Sequence, residues 1–501
     1  MKFLCLGALC AALAVGVGCG GGPMNPGGGG GGTPATITVS NNKGTAFSVA
    51  MSTSFQPAEW DYQFFQQNPA ATTTLGNLNP HHIRLQGISQ GVPQGSEGTS
   101  SQAWDFSKLD AITQPVLGLG DHGPEFQIAK APAFMYQNNN SGASFSDTTF
   151  ARFAGYAQDL VAYYNTGGFV ANGQLYESPA YANNGYKITW WGIYNEPSIN
   201  NNLDATQYTA MYNALVPPMH TADSSIKFAA LELCCGSENW AATFASGVNA
   251  QVDVVATHYY SSCNQNDTDA MLMATVPGFA NSVHTIYANI LTNPLLANVP
   301  VWVTENNVNA DYDKGGGISA CNGTAFVDDL RGSSPFFAGW RPYVFSQLGQ
   351  AGAQALYHWD FAADPQFGEV NGNNGALQLS YWVDYWLGQK LPPNAGSQVL
   401  QFTSSDDTDL ETLPVVNSDG SVVVMVANHA VKDAADNNGT GVPFSVTVDV
   451  SALGSFSTGR LLVIDKDTSA ATGPADTPVT PAAKVTMDLN GYSVGILTLR
   501  P

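Results

Sequence analysis

Eight short apolar runs between about residues 45 and 387 alternate with segments of helical length, a rhythm that predicts an α/β fold, a (β/α)8 TIM barrel. Several of these runs are apolar at consecutive positions, as expected of parallel strands buried on both faces. After Pro392 the texture changes to period-two alternation broken by Asp-Gly and Asn-Gly turns, which predicts an accessory C-terminal antiparallel β-sandwich over 391–501. A chain of 501 residues is too long for one ordinary core, and a barrel over 45–390 with a smaller β-domain accounts for the length.

The chain begins with Lys2, an apolar run from Phe3 to Val17 and small residues leading to Cys19. That run is shorter than the roughly 20 residues a bilayer crossing requires, so 1–19 reads as an export signal. Its "GVGC" ending resembles a bacterial lipoprotein cleavage site, which implies lipidation at Cys19 and a membrane anchor made of that lipid alone. Without lipidation, the same leader implies plain secretion. Residues 20–34 are Gly-rich and form a flexible tether. The run "ATITVSNN", within 35–44, is a strand that could join the C-terminal sandwich.

The eight barrel strands are expected at 46–51 (AFSVAM), 81–87 (HHIRLQG), 125–131 (EFQIAKA), 188–194 (ITWWGIY), 227–233 (KFAALEL), 252–260 (VDVVATHYY), 301–306 (VWVTEN) and 355–361 (ALYHWDF). Between them, apolar residues spaced by three or four predict helices over 148–165, opening at Asp147-Thr148, and over 204–222. The sandwich strands read out as "GSVVVMVANH", "PFSVTVDVS", "GRLLVIDKD" and "AKVTMDLNGYSVGILTLRP".

Composition narrows the function. Only 11% of residues are charged, the formal net charge is -22, and just 17 residues are Lys or Arg, so the chain lacks the cationic footprint a nucleic acid requires. Of seven cysteines, Cys5 and Cys10 leave with the signal. Cys234, Cys235, Cys263 and Cys321 are an even set, which in an exported protein predicts disulfides. A bridge between the neighbours Cys234 and Cys235 is strained, so cross-pairing with Cys263 and Cys321 is the expectation. A zinc site would need CxxC or HxxxH spacing, which is lacking.

In such a barrel the active site lies at the carboxyl ends of the strands. The polar residues there are Arg84, Asn195, Glu196, His258, Tyr260, Glu305 and Trp359. Glu196 closes the fourth run and Glu305 the seventh, so two carboxylates can converge across the barrel although 305 − 196 = 109 residues separate them. A facing carboxyl pair is the equipment of glycoside hydrolysis, in which one protonates the leaving oxygen and the other, ionised, attacks the anomeric carbon. Such a reaction needs a carbohydrate substrate and no cofactor. For Arg84 a surface ion pair, and for His258 and Trp359 plain core packing, are the alternatives.

The motifs "WWGIYNEP" and "WVTEN" resemble those of the retaining glycoside hydrolases of clan A, and most nearly glycoside hydrolase family 39, the family of β-xylosidases and α-L-iduronidases. The resemblance implies a barrel with an appended β-sandwich and the hydrolysis of β-glycosidic bonds by double displacement. It implies that Glu196 is the acid/base, Glu305 the nucleophile, and Asn195 the partner of the sugar 2-hydroxyl. It further implies that Arg84 keeps the nucleophile ionised, that Tyr260 of "THYY" donates to it while His258 lines the pocket, and that Trp359 forms an aromatic floor beneath the sugar. An endo-acting hydrolase of exopolysaccharide would share this chemistry. A carbohydrate-binding surface lipoprotein that has lost activity would share the fold, but it gives no reason to keep both glutamates.

Overall fold

A computed structural model describes residues 32–55, 62–86, 104–120, 122–140, 142–200 and 203–501. The signal, Cys19 and most of the Gly-rich tether lie outside these residues.

Eight parallel strands close a barrel: β1 (Ala50–Phe55), β2 (Ile83–Gln86), β3 (Pro124–Ile128), β4 (Trp190–Ile193), β5 (Lys227–Leu233), β6 (Val254–Ser262), β7 (Val301–Asn309) and β8 (Ala353–His358). Closure comes from β8 pairing with β1, Ala355 opposite Ala50. The first strand sits later than the sequence suggests. Ala46 and Phe47 pair instead with Gln398 and Ser397 in the accessory sheet, so the apolar run "AFSVAM" is divided between two sheets. β6 and β7 run past their expected ends to Ser262 and Asn309, carrying their polar residues outward on a paired rail.

The barrel interior is layered. At its floor Trp190 and Trp302 pack with ring centroids 4.4 Å apart, beside Ala50, Ala229, Val254, Ala355 and Tyr357. Above them the lining turns polar, with Arg84, Glu125, Gln127 and Glu232 all buried. Among the connecting helices, Ala205–Ala222 begins with a reciprocal cap in which Asp204 accepts from the Gln207 amide and the Gln207 side chain accepts from the Asp204 amide. Helix Ala151–Asn165 starts three residues later than its Asp147-Thr148 signal, yet Asp147 still accepts from the Arg152 amide.

The accessory domain is a nine-stranded sheet ordered 477–479, 458–464, 493–500, 422–428, 410–416, 397–404, 33–47, 444–449 and 484–489. Its pairs are antiparallel except Thr33–Thr38 with Phe444–Asp449, because the N-terminal strand enters beside 444–449 in the same direction. Ile37, Val39, Val424, Phe444, Val446 and Leu497 fill its own core. Its other side packs on the barrel through helix Pro335–Gln350. Among the described residues no helix is long and apolar enough to cross a membrane.

At this junction His429 stacks on Tyr343, ring centroids 4.1 Å apart, and burial holds its imidazole down to about 4. The folded value lies below the ordinary 6.5, so the stability tied to neutral His429 is complete above about pH 6.5 and drains away as pH falls toward 4. Unfolding by urea at pH 7.5 and 4.5 should show His429→Leu losing about 3 kcal/mol less than the parent across that interval. Equal losses in the two proteins would exclude the assignment.

Candidate active site

The seven residues picked out at the strand ends converge. Arg84 of β2 is fully buried and sends Nη1 to Glu305 Oε1 at 2.9 Å and Nη2 to Asn195 Oδ1 at 2.9 Å. Tyr260 of β6 donates its hydroxyl to Glu305 Oε2 at 2.8 Å, so each oxygen of that carboxylate has a donor. His258 Nδ1 stands 2.9 Å from Glu196 Oε1 and 3.4 Å from Glu305 Oε2, bridging the two carboxylates. One oxygen of Glu196 and one of Glu305 lie within 4.8 Å of each other. Trp359 is half-buried with its ring 5.9 Å from the Arg84 guanidinium carbon, and the peptide bond that follows it is cis. Arg84 is therefore no surface ion pair, and Trp359 borders the site.

The local backbone explains how strand ends become a site. In the turn leaving β4, Tyr194 and Glu196 both have positive φ, 71° and 43°, which costs a non-glycine residue about 1–2 kcal/mol each. The turn is held by hydrogen bonds from the Tyr194 amide to Ile128 O and from the Glu196 amide to Glu232 O. Asn195 Oδ1 also accepts from Gln127 Nε2 at 3.0 Å, and with two donors on its oxygen the amide NH2 is turned to the opposite side. In β7 a bulge sets Val303 opposite Thr257 but Glu305 opposite His258. The extra residue lets the adjacent Thr304 and Glu305 both reach into the barrel.

Several functional neighbours escaped sequence reasoning. Glu232, at the end of β5, is fully buried and receives His258 Nε2 at 2.8 Å, Thr304 Oγ1 at 2.6 Å and Arg84 Nη2 at 3.5 Å. Glu125 lies beneath, 4.0 Å from Arg84 Nε, and accepts from the Tyr357 hydroxyl. Gln86 and Gln127 complete the polar lining, with Gln86 Nε2 3.5 Å from Glu305 Oε1. Tyr312, half-exposed in the loop after β7, has its hydroxyl pushed up by burial and by nearby Glu196. For Gln86, Glu125 and Gln127 the signal was polarity at alternate positions in otherwise apolar strands, which the reading of strand ends alone passed over. Glu232 falls inside the expected strand "KFAALEL", with no polar partner at alternate positions to mark it.

Charge in this pocket is balanced by mutual contact. Burial works against the cationic forms of His258 and Arg84, yet the surrounding carboxylates prevail and raise both, His258 to about 10. Burial alone would raise Glu232, but Arg84, His258 and Thr304 together hold it low. Burial and the adjacent Glu232 push Glu125 up to about 8, against the pull of Arg84. Glu305 is raised by burial, with His258, Arg84 and the Tyr260 hydroxyl opposing.

Among the described residues two groups are compact enough to hold a metal ion, Glu196 with His258 and Glu305, and His358 with Glu369 and Asp384. In the first, both His258 nitrogens face carboxylates. In the second, His358 Nδ1 faces Asp384 at 2.7 Å and Nε2 faces Phe367 O at 2.7 Å, while Asp384 accepts from Arg341. In both groups the imidazole nitrogens already face oxygen partners, so a metal would have to displace those contacts to bind.

The disulfides depart from the sequence-based pairing. Cys234 bonds its neighbour Cys235 at the end of β5, and Cys263 bonds Cys321. The loops after β6 and β7 run side by side, which brings the Cα atoms of Cys263 and Cys321 to 5.9 Å, within ordinary bridging distance. The adjacent pair bonds where Cys235, at a positive φ of 61°, turns the chain.

No protein-family model matches the chain, and no curated protein matches it. Solved structures do. A monomeric β-xylosidase from Caulobacter crescentus CB15 superposes with a TM-score of 0.66 at 13% identity over 93% of this chain and 99% of that one. The GH39 enzyme from Xanthomonas axonopodis pv. citri gives 0.61 at 14% identity, over 94% and 98%. The catalytic domain of GH30 xylanase C from Talaromyces cellulolyticus gives 0.60 at 17% identity, over 93% and 100%. The chain has the fold of these glycoside hydrolases, a (β/α)8 barrel with an accessory β-domain.

Proposed function

We propose that the protein is an exported, retaining glycoside hydrolase that cleaves β-glycosidic bonds by double displacement. The observation that carries this reading is the approach of Glu196 and Glu305 oxygens to within 4.8 Å at the ends of β4 and β7. Oxygens this near favour a retaining pair, whose carboxyl groups stand about 5–5.5 Å apart, over an inverting pair at about 6.5–9.5 Å. Glu305, gripped by Arg84 and Tyr260, is the nucleophile. Glu196 is the acid/base. In the first step the Glu196 proton passes to the glycosidic oxygen as Glu305 bonds the anomeric carbon. In the second, Glu196 takes a proton from the water that releases the sugar. Asn195 directs its NH2 to the sugar 2-hydroxyl, and Trp359 stacks beneath the ring.

The first substrate to test is a β-xyloside, because one fold neighbour is a β-xylosidase and another a xylanase. Residues 48–390 form the catalytic barrel, 391–501 with the N-terminal strand Thr33–Phe47 the accessory domain, and Cys19 the lipid anchor beyond the tether. Two disulfides suit export. On a panel of aryl β-glycosides led by the xyloside, turnover is expected with a first product of β configuration by anomeric NMR. A first product of α configuration, or no turnover anywhere on the panel, would overturn the reading. An endo-acting hydrolase is the second reading, favoured by the likeness to xylanase C, and oligomeric products from xylan would select it.

A further inference from the structure

Double displacement by Glu305 and Glu196 gives no task to Glu232, a buried ionisable group that contacts His258. Glu232 is fully buried, its side chain accepts from His258, Thr304 and Arg84, and its backbone is held at a conformational cost. β5 carries an extra residue between Ala230 and Leu233 relative to β6, and within that bulge Leu231 and Glu232 have φ values of 79° and 45°. Such non-glycine geometry persists only where surrounding structure enforces it, and it gathers at functional sites. Tyr208 supplies the enforcement. Its hydroxyl accepts from the Leu231 amide at 2.6 Å and donates to Ile193 O at 3.0 Å, tying the bulge to β4.

We propose that Glu232 is a positioning residue that acts through His258, fixing a proton on each imidazole nitrogen so that His258 always donates to Glu196 Oε1. The inference rests on the glycosidase reading and extends it. Three carboxylates and one cation surround the imidazole: Glu196 from β4, Glu232 from β5, Glu305 from β7, and Arg84 from β2, which holds Glu232 and Glu305. Tyr260 reaches Glu305 from His258's own strand, Glu125 of β3 lies below beside Arg84, and Tyr208 backs Glu232. A histidine's second nitrogen is set by the partner of its first. With ionised Glu232 holding a proton on Nε2 and the surrounding carboxylates keeping the ring cationic, Nδ1 donates to Glu196 Oε1. Since Oε1 of Glu196 is then occupied as an acceptor, the acidic proton is confined to Oε2, from which it passes to the glycosidic oxygen as the C–O bond breaks. His258 neither gains nor loses a proton in this step.

Glu232→Gln separates this role from packing. Thr304 and Arg84 both donate to Glu232 Oε2, so the amide oxygen of Gln must take that place. His258 then becomes neutral at lower pH than its present value of about 10, keeping Nε2–H and presenting a bare Nδ1 that captures the Glu196 proton. On a phenyl glycoside, which needs acid assistance, the descending limb of the kcat/KM profile should move down by at least about one pH unit. With a dinitrophenyl leaving group, which needs none, the pre-steady-state burst should keep its rate at all pH values. Superimposable profiles, or an equal fall at every pH with both leaving groups, would overturn the inference. A second measurement needs no Glu232 variant. In 15N-histidine-labelled wild type at pH 8, the His258 signals, assigned by their loss in His258→Gln, should show both nitrogens protonated, and one unprotonated nitrogen would overturn it. If wild type cleaves no glycoside, the functional reading fails, while the nitrogen spectrum still decides this one.

Discussion

Glu305→Gln is expected to lower kcat/KM on every glycoside the wild type cleaves by at least about 10^4-fold, equivalent to about 5.5 kcal/mol of transition-state stabilisation. The substitution keeps the shape of the side chain but removes the attacking carboxylate. An amide oxygen cannot form the glycosyl-enzyme on a useful timescale, and no other carboxylate can replace it. Glu232 is turned toward His258 and Thr304, and Glu125 lies below the Arg84 guanidinium. Fold should survive, since Arg84 retains Glu232, Glu125 and Asn195. Steady-state rates on the aryl glycosides, with circular dichroism to check folding, decide the matter. Turnover within tenfold of wild type would remove Glu305 from the nucleophile's place and the double-displacement reading with it.

Glu196→Ala is expected to fail in a different pattern. With a phenyl leaving group kcat/KM should fall by about 10^2- to 10^4-fold, because bond cleavage then proceeds without proton donation. With a dinitrophenyl group, whose departure needs no acid, formation of the glycosyl-enzyme should remain fast and its hydrolysis should become limiting. Azide, which attacks without a general base, should then restore turnover. It bonds the anomeric carbon, Glu305 leaves as its carboxylate, and the product is the glycosyl azide with the β configuration of the substrate. A variant equally slow with both leaving groups and unresponsive to azide would show that Glu196 supports structure and transfers no proton. The two substitutions together assign attack and proton transfer independently of which sugar the pocket prefers.

Much of the site was legible because a parallel barrel strand has one chemically informative end. Against the apolar runs "ITWWGIY" and "VWVT", a terminal glutamate stands out, and strand order alone brings the ends of β4 and β7 together. Arg84, His258, Tyr260 and Trp359 could be placed by the same rule. Glu232 could not, because its importance depends on a bulge that turns its side chain inward, and a one-residue insertion leaves no mark in hydrophobic periodicity. Glu125 and Gln127 were passed over for a related reason, since alternation within a strand buried on both faces does not say which face is the barrel interior. The first barrel strand was displaced because "AFSVAM" is one apolar run shared between two sheets, and apolarity carries no information about the partner.

By itself the sequence determined the architecture, the two carboxylates and the cationic and aromatic residues around them, since hydrophobic period and strand-end polarity are local properties written in residue order. Only the tertiary structure decided the distances, the two disulfide pairs and the carboxylate–imidazole–carboxylate bridge from Glu232 to Glu196. The site contacts join chain segments 26 to 221 residues apart and the Cys263–Cys321 bridge segments 58 apart, approaches set by barrel closure, strand register and bulges and by no property of the residues taken in order.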